Sequence, residues 1–310
     1  MIRLMFTLVL VASIAPAFAT PPGAGISEAR ERMTAPVSAE NEQRLLQIVR
    51  DFAAHPDDIS VRALVSELAG REPQVYVRHT EGPMLVPLVD VGAYARYLLT
   101  QWERAATSKQ VTARAAKGEP GLVEAYLAAK PHQRQAMTDA IEALPVEELI
   151  VYRESFLAAA GKPSSTAMVA AAALRLTDAQ LLRTAIEKGE GKQLQRFVPS
   201  IRPAFDSVQA ARLLDAVVIH HPELASMAIL EIGAINDAGA DKRIWSYLAD
   251  TEHGGSAAAV LARRGDSTTV QRLLELADSA PDRLLRQRAR LALRLHSDPS
   301  VRKLADGADR

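Results

Sequence analysis

Asp206-Ser-Val-Gln-Ala-Ala-Arg-Leu-Leu214 and Asp266-Ser-Thr-Thr-Val-Gln-Arg-Leu-Leu274 are nearly the same phrase, 60 residues apart. Each opens on an aspartate, whose carboxylate accepts the unpaired N–H groups of a helix's first turn and favours the positive end of its dipole. The Val and Leu positions that follow return at three- and four-residue steps, so they face one neighbour. Asp178, Asp237 and Asp298 extend the series, with intervals of 28, 31, 29 and 32 residues along the five aspartates. Small and apolar residues precede most of them: Ala171 to Leu176, Ala228 to Gly233, Ala257 to Leu261, and Ala289 to Leu295. The segment before Asp206 is the poor member, because Pro199 and Pro203 interrupt it. A period near 30 is one two-helix unit, which cannot bury its own apolar face and must stack on its neighbours. The sequence therefore predicts an all-α fold, an α-solenoid of stacked two-helix repeats, with room for one small β-hairpin near residues 75–86.

Outward from this region the chain reads as a procession of helices. Upstream of Asp178, predicted spans include Leu122–Ala129, His132–Leu144, Val146–Ala160 and Ser165–Leu176; beyond it, Lys192–Ile201 precedes Asp206. A long helix over Asp90–Lys117 places Val91, Tyr94, Leu98, Trp102 and Ala105 on one face, as core packing or as the lining of a ligand groove. Val75-Tyr76-Val77 and Met84-Leu85-Val86 flank His79-Thr80-Glu81-Gly82, either a hairpin or an irregular connector. Ser38 opens a helix whose apolar face is Leu45, Leu46, Ile48, Val49 and Phe52, and Asp57 or Asp58 caps the next one, through Leu68. Residues 20–37, with Pro21, Pro22, Gly23 and Gly25 near the start, read as a mobile tail with one helical turn around Ser27 to Met33. The expected organisation is thus 1–19 signal peptide, 20–37 tail, 38–130 N-terminal helical region and 131–310 repeat region.

Some of these phrases have a family look. Asp298-Pro299-Ser300-Val301-Arg302-Lys303-Leu304-Ala305 resembles the D-P-x-V-R-x-x-A helix start of HEAT-type α-helical repeats, of the short, Ala-rich bacterial kind. Pro56 to Leu64 is a looser copy, and Ala259-Val-Leu-Ala-Arg-Arg-Gly-Asp266 resembles the A-x-x-L-x-x-x-G-D helix end. The resemblance is clearest from about Ala167 onward. It implies a binding scaffold, by analogy of fold alone.

Composition narrows the chemistry. The 310 residues hold no cysteine, which excludes disulfides, thiolate metal sites and a cysteine nucleophile. Lys plus Arg and Asp plus Glu both total 37, so no bulk charge draws the protein to nucleic acid. Alanine, the strongest helix former, occurs 55 times, and arginine outnumbers lysine 29 to 8. Arg3, the apolar run from Leu4 and Ala17-Phe18-Ala19 read as a signal peptide cleaved after Ala19, and Pro16 interrupts the run too early for a membrane anchor. The mature chain would be periplasmic or secreted and would not span a membrane.

No catalytic motif is present: the sequence lacks a G-x-S-x-G elbow, a P-loop, a G-x-G-x-x-G turn and an H-E-x-x-H helix. His220-His221 with Glu223 is the nearest approach to a metal cluster, but adjacent histidines point about 100° apart on a helix. Asp250, Glu252 and His253 form a turn before Gly254-Gly255, and Glu147-Glu148 suit a helix N-terminus. Neither a metal nor a cofactor is expected. The surface feature that stands out is a basic stripe, Arg283, Arg286, Arg290 and Arg294, on one helix face, to which Arg288 adds charge. It reads as a docking face for a protein or an anionic envelope component, or as an ordinary solvated face. The sequence reading is a non-catalytic periplasmic scaffold; the alternative is a cell-wall-acting enzyme, or an accessory to one, with an unrecognised carboxylate site.

Overall fold

A computed structural model describes residues 22–79 and 82–307, so the expected signal peptide lies outside the described residues. The fold is all-α, and the sole sheet among the described residues is a two-stranded ribbon. None of these helices is long and apolar enough to cross a membrane. The chain divides into two compact units, one reaching Ala106 and one beginning at Thr107, where the sequence reading placed its boundary at 130/131.

The N-terminal unit holds α1 (Pro22–Thr34), α2 (Ala39–Asp51), α3 (Ile59–Ala69), β1 (Tyr76–Arg78), β2 (Leu85–Pro87) and the first half of α4 (Val91–Ala116). Leu45, Val49, Val61, Leu64, Leu68, Leu98 and Trp102 share its core. The periodic face of the long helix is thus core packing here. Where a tail was expected, α1 is 13 residues long. Small residues let it dock closely, since Ala29 is fully buried and Gly25 lies against Phe52 and Ile48, and Ile26 and Met33 pack on the same core. The strands pair antiparallel with Val77 opposite Val86, and Tyr76, Val77 and Leu85 remain exposed.

One polar contact sits inside this unit. Arg71 Nη2 donates to Glu42 Oε1 at 2.5 Å, with the Glu42 side chain 1% exposed. Glu42 Oε2 and Arg71 Nε are buried without a hydrogen-bond partner. Beside it, Gly92 lies so close to the Arg71 carbonyl that a Cβ there would overlap it, and Arg96 Nη1 donates to Ala69 O at 2.6 Å, closing the end of α3.

The C-terminal unit continues with α5 (Leu122–Ala128), α6 (Pro131–Ala143), α7 (Val146–Leu149), α8 (Arg153–Ala159), α9 (Thr166–Leu176) and α10 (Ala179–Lys188). Next come α11 (Gly191–Leu194), α12 (Val198–Ala204), α13 (Ser207–His220), α14 (Ala225–Gly233), α15 (Ala238–Ala249), α16 (Gly254–Arg264), α17 (Ser267–Ser279), α18 (Arg283–Leu295) and α19 (Pro299–Gly307). Two predicted helices are broken. Val146–Ala160 is α7 and α8 joined by a 3-10 turn at Ile150–Tyr152. Lys192–Ile201 is α11 and α12, because Pro199 fits only the first turn of a new helix.

All five aspartates of the sequence series cap helices. Asp178 accepts from Leu181 N at 3.0 Å, Asp206 from Gln209 N at 2.8 Å, Asp237 from Gly239 N at 2.8 Å, Asp266 from Thr269 N at 2.8 Å and Asp298 from Ser300 N at 2.8 Å. We call α9, α12, α14, α16 and α18, which end just before these aspartates, the leading helices. Each packs on the next: α9 on α12, α12 on α14, α14 on α16 and α16 on α18. The helices opened by the aspartates lie behind them, α10 against α13 and α13 against α15.

Helix C-termini have a matching device. Arg175 Nε donates to Leu144 O at 2.7 Å, Arg134 Nε to Ala129 O at 2.9 Å, and Arg302 Nη1 to His296 O at 2.9 Å. Arg288 Nη1 and Nη2 reach Leu248 O and Thr251 O at 3.1 and 2.7 Å. The last carbonyls of a helix have no intrahelical partner, and a guanidinium carries several fixed donors beside a charge that suits the dipole's negative end. This is a structural use for the arginine excess that composition alone does not disclose.

Candidate functional site

The leading helices present one open face. Counting back from each aspartate, the residue seven before it is Ala171, Pro199, Leu230, Ala259 or Leu291, and the residue eleven before it is Ala167, Gln195, Ser226, Gly255 or Gln287. Pro199, Leu230, Leu291, Gln195, Ser226, Gly255 and Gln287 are all exposed. Leu230 and Leu291 are its exposed apolar side chains, the others are small or polar, and Ser226 Oγ and Ser256 Oγ bond across adjacent helices at 2.8 Å.

Two hollows lie along α9. A hollow of 820 Å³ is lined by Arg134, Gln135, Thr138, Ala167, Lys192 and Gln195, among others. A second, of 560 Å³, is lined by Glu142, Ala171, Arg175, Ser200 and Pro203. Arg196 lines both. Its Nη1 donates to Asp139 Oδ1 at 2.9 Å and its Nη2 to Glu142 Oε1 at 2.6 Å, while its guanidinium lies 4.6 Å from the centre of the Phe197 ring. Burial pushes the Glu142 carboxyl above its usual range; Arg196 opposes that shift and Asp139 adds to it. Gln193 is held in place, its Nε2 donating to Pro163 O at 3.0 Å and to Glu190 Oε2 at 2.8 Å. Tyr126 and Thr138 join hydroxyls at 3.2 Å. The walls therefore offer donors and acceptors of both signs over a floor of alanine and proline. That suits an extended chain with its own alternating polar groups.

The structure distributes the sequence candidates differently. Arg283 and Arg294 are exposed, whereas Arg286 and Arg290 are half-buried. Arg286 Nη1 donates to the carbonyls of Ala280 and Pro281, the latter at 3.2 Å. Arg288 does not add to the surface stripe: it is buried, and its donors are directed at the end of α15. His221 is buried, with Nε2 donating to Ile186 O at 2.7 Å and Nδ1 3.5 Å from Glu223 Oε1, while His220 is exposed. Asp250 accepts the Glu252 and His253 N–H groups at 2.9 Å each, and these bonds lower its pKa; it shapes a turn. Glu147 and Glu148 lie in the first turn of α7. Among the described residues no three His, Asp or Glu side chains gather as a metal site would require.

The Arg196 bridge escaped sequence reading because its partners lie 54 and 57 residues away. The alanines beneath it were visible only as small residues before an aspartate. Comparison with protein-family models, with curated proteins and with solved structures gives no match to this chain.

Proposed function

We propose that the C-terminal unit is an α-solenoid of HEAT-type two-helix repeats, and that the exported protein is a non-catalytic scaffold holding an extended segment of a partner protein along its open face. The carrying observation is the pair of hollows beside α9, which share Arg196 and meet the open face at Ala167, Ala171, Gln195 and Pro199. Their mixed polar walls and small-residue floor match a peptide backbone better than a compact ligand. Shallow, exposed grooves of this kind favour binding over chemistry, since catalytic groups work best in enclosed sites where water is excluded.

A second reading has one specific observation behind it. Asp139 and Glu142 are two carboxylates in one groove, and Glu142 is shifted toward a protonated form, as a general acid of a cell-wall-acting enzyme would be. Both carboxylates are bonded to Arg196, and their side chains are 39% and 44% exposed, which favours an ion-pair bridge over an acid–base pair.

The test is site-specific photo-cross-linking in the native periplasm, on a mature chain expected to begin at Thr20. Cross-linkers at Ala167 and Pro199 should capture the same protein, and one at Arg212 on α13 should not. Equal capture from Arg212, or none from the groove, overturns the reading; hydrolysis of cell-wall polymer that is lost in Glu142→Gln would favour the enzyme.

A further inference from the structure

The two-stranded ribbon of the N-terminal unit has one open edge, and its ladder shows which. Leu88 N donates to Val75 O at 2.9 Å and His79 N to Met84 O at 2.8 Å, on the register that sets Val77 opposite Val86. Hydrogen-bonded and non-hydrogen-bonded pairs alternate along an antiparallel ladder. Val75, Val77 and His79 therefore direct their backbone groups at β2, and Tyr76 and Arg78 direct theirs away from it. On β2 the outward residues are Leu85 and Pro87, with Pro83 just beyond the last pair. Neither proline has an N–H to give, so the β2 edge is blunted while the β1 edge keeps both donors and both acceptors. The ribbon is also short of cover. Tyr76 is 50% exposed, Val77 39%, Met84 68% and Leu85 66%, and among the described residues the strands pack chiefly on each other. Two strands alone are marginal in water; three or more are needed for independent stability.

The geometry points to pairing of β1 with β1 of a second copy of this chain, antiparallel about a two-fold axis at Val77, which makes one four-stranded sheet of order β2–β1–β1–β2. A two-fold interface requires a patch that matches itself, and this edge does. Tyr76 falls opposite the partner's Arg78, and Arg78 opposite the partner's Tyr76. Each of these outward-facing pairs exchanges both of its N–H···O bonds, four in all. Each also sets a tyrosine ring beside a guanidinium on one sheet face, a favourable cross-strand contact. Val77 meets the partner's Val77 on the other face, which covers two of the exposed valines. The register that would set Arg78 against the partner's Arg78 is opposed by like charge. With prolines on both outer strands the sheet closes at two copies and does not grow. This inference concerns the N-terminal unit alone and does not rest on the repeat reading proposed above.

The chain has no cysteine, so a single introduced one reports the pairing without background. In this register Val77 and the partner's Val77 form a non-hydrogen-bonded pair, with Cα atoms about 4.5 Å apart, within disulfide reach. Leu85 would lie three strand spacings from the partner's Leu85, about 14 Å, which is too far. Under mild oxidation of the full chain, Val77→Cys should cross-link into a dimer much faster than Leu85→Cys, although Leu85 is the more exposed residue. Tyr76→Pro removes an outward N–H and leaves the bonds between β1 and β2 in place. Sedimentation velocity over a concentration series should show the native chain forming dimers and nothing larger. Tyr76→Pro should associate about tenfold more weakly or worse, having lost two of the four inter-chain hydrogen bonds. A native chain that stays monomeric throughout, or a Leu85→Cys that cross-links as fast as Val77→Cys, overturns the proposal. Capture of a different protein at Val77→Cys in place of a second copy would overturn it too, and would give the edge to that protein's strand.

Discussion

The two units solve the same problem differently. In the C-terminal unit one set of contacts recurs about every 30 residues: an aspartate at a helix start, small residues along a leading helix, and a neighbour one pair away. In the N-terminal unit every contact occurs once. Its core is drawn from α1, α2, α3 and α4, and its polar centre is a single ion pair between residues 29 apart. Periodic contacts are legible because one misread residue is outvoted by its equivalents. A contact made once leaves no pattern to find.

The largest expected effect lies in the non-periodic unit. Glu42→Ala leaves the Arg71 guanidinium facing a vacated buried site, and loss of one partner from a buried pair costs about 3–5 kcal/mol. The chain has two tryptophans, Trp102 in the N-terminal unit and Trp245 in the C-terminal one. Urea unfolding in Trp102→Phe and Trp245→Phe backgrounds should show the Trp102 transition moving to lower urea by more than the Trp245 transition. Equal movement of both would erase the distinction between the units.

A smaller effect is expected where α14 meets α16. Gly233→Ala forces a methyl into Val260, and overpacking of this kind costs about 1–3 kcal/mol. Here the Trp245 transition should move first. No change in either would mean that α14 and α16 are not in close contact.

The smallest effect is a single cap. Asp266→Ala removes the carboxylate that accepts from Thr269 N and from Thr269 Oγ1, a loss of about 0.5–2 kcal/mol. Those hydrogen bonds hold the Asp266 carboxyl below its usual pKa, the Thr269 hydroxyl contributing most. A depressed folded pKa means the stabilisation is fully present above the unfolded value of about 3.9 and is lost as pH falls through the folded value. The native chain and Asp266→Ala should therefore differ in melting temperature at pH 7 and converge in strong acid. A difference that persists there would assign the effect to something other than the ionised cap.

What the sequence discloses follows the same division. The five caps, the long helix over Asp90–Lys117 (observed as Val91–Ala116) and the hairpin near 75–86 were all legible, because capping, helical period and strand signals are local. Illegible were the docking of α1 through Gly25 and Ala29, the Glu42–Arg71 pair and the Arg196 bridge, each made between distant segments. The arginine stripe was legible as a pattern but not as a place. Burial shows what spacing does not: Arg283 and Arg294 are exposed, whereas Arg286 and Arg290 are half-buried. Arg288 shows the same limit from the other side, since nothing in its spacing separates a buried donor to Leu248 and Thr251 from its exposed neighbours.

The central claim is that the C-terminal unit is held together pair by pair and not by one all-or-none core. Native-state hydrogen exchange on Gly233→Ala, read by mass spectrometry of peptides from each helix, tests it directly, because nearest-neighbour architectures open locally. The account predicts faster exchange in α14, α16 and α18, with the protection of α6 and α9 unchanged from the native chain. A uniform loss of protection from α6 through α18 would contradict it.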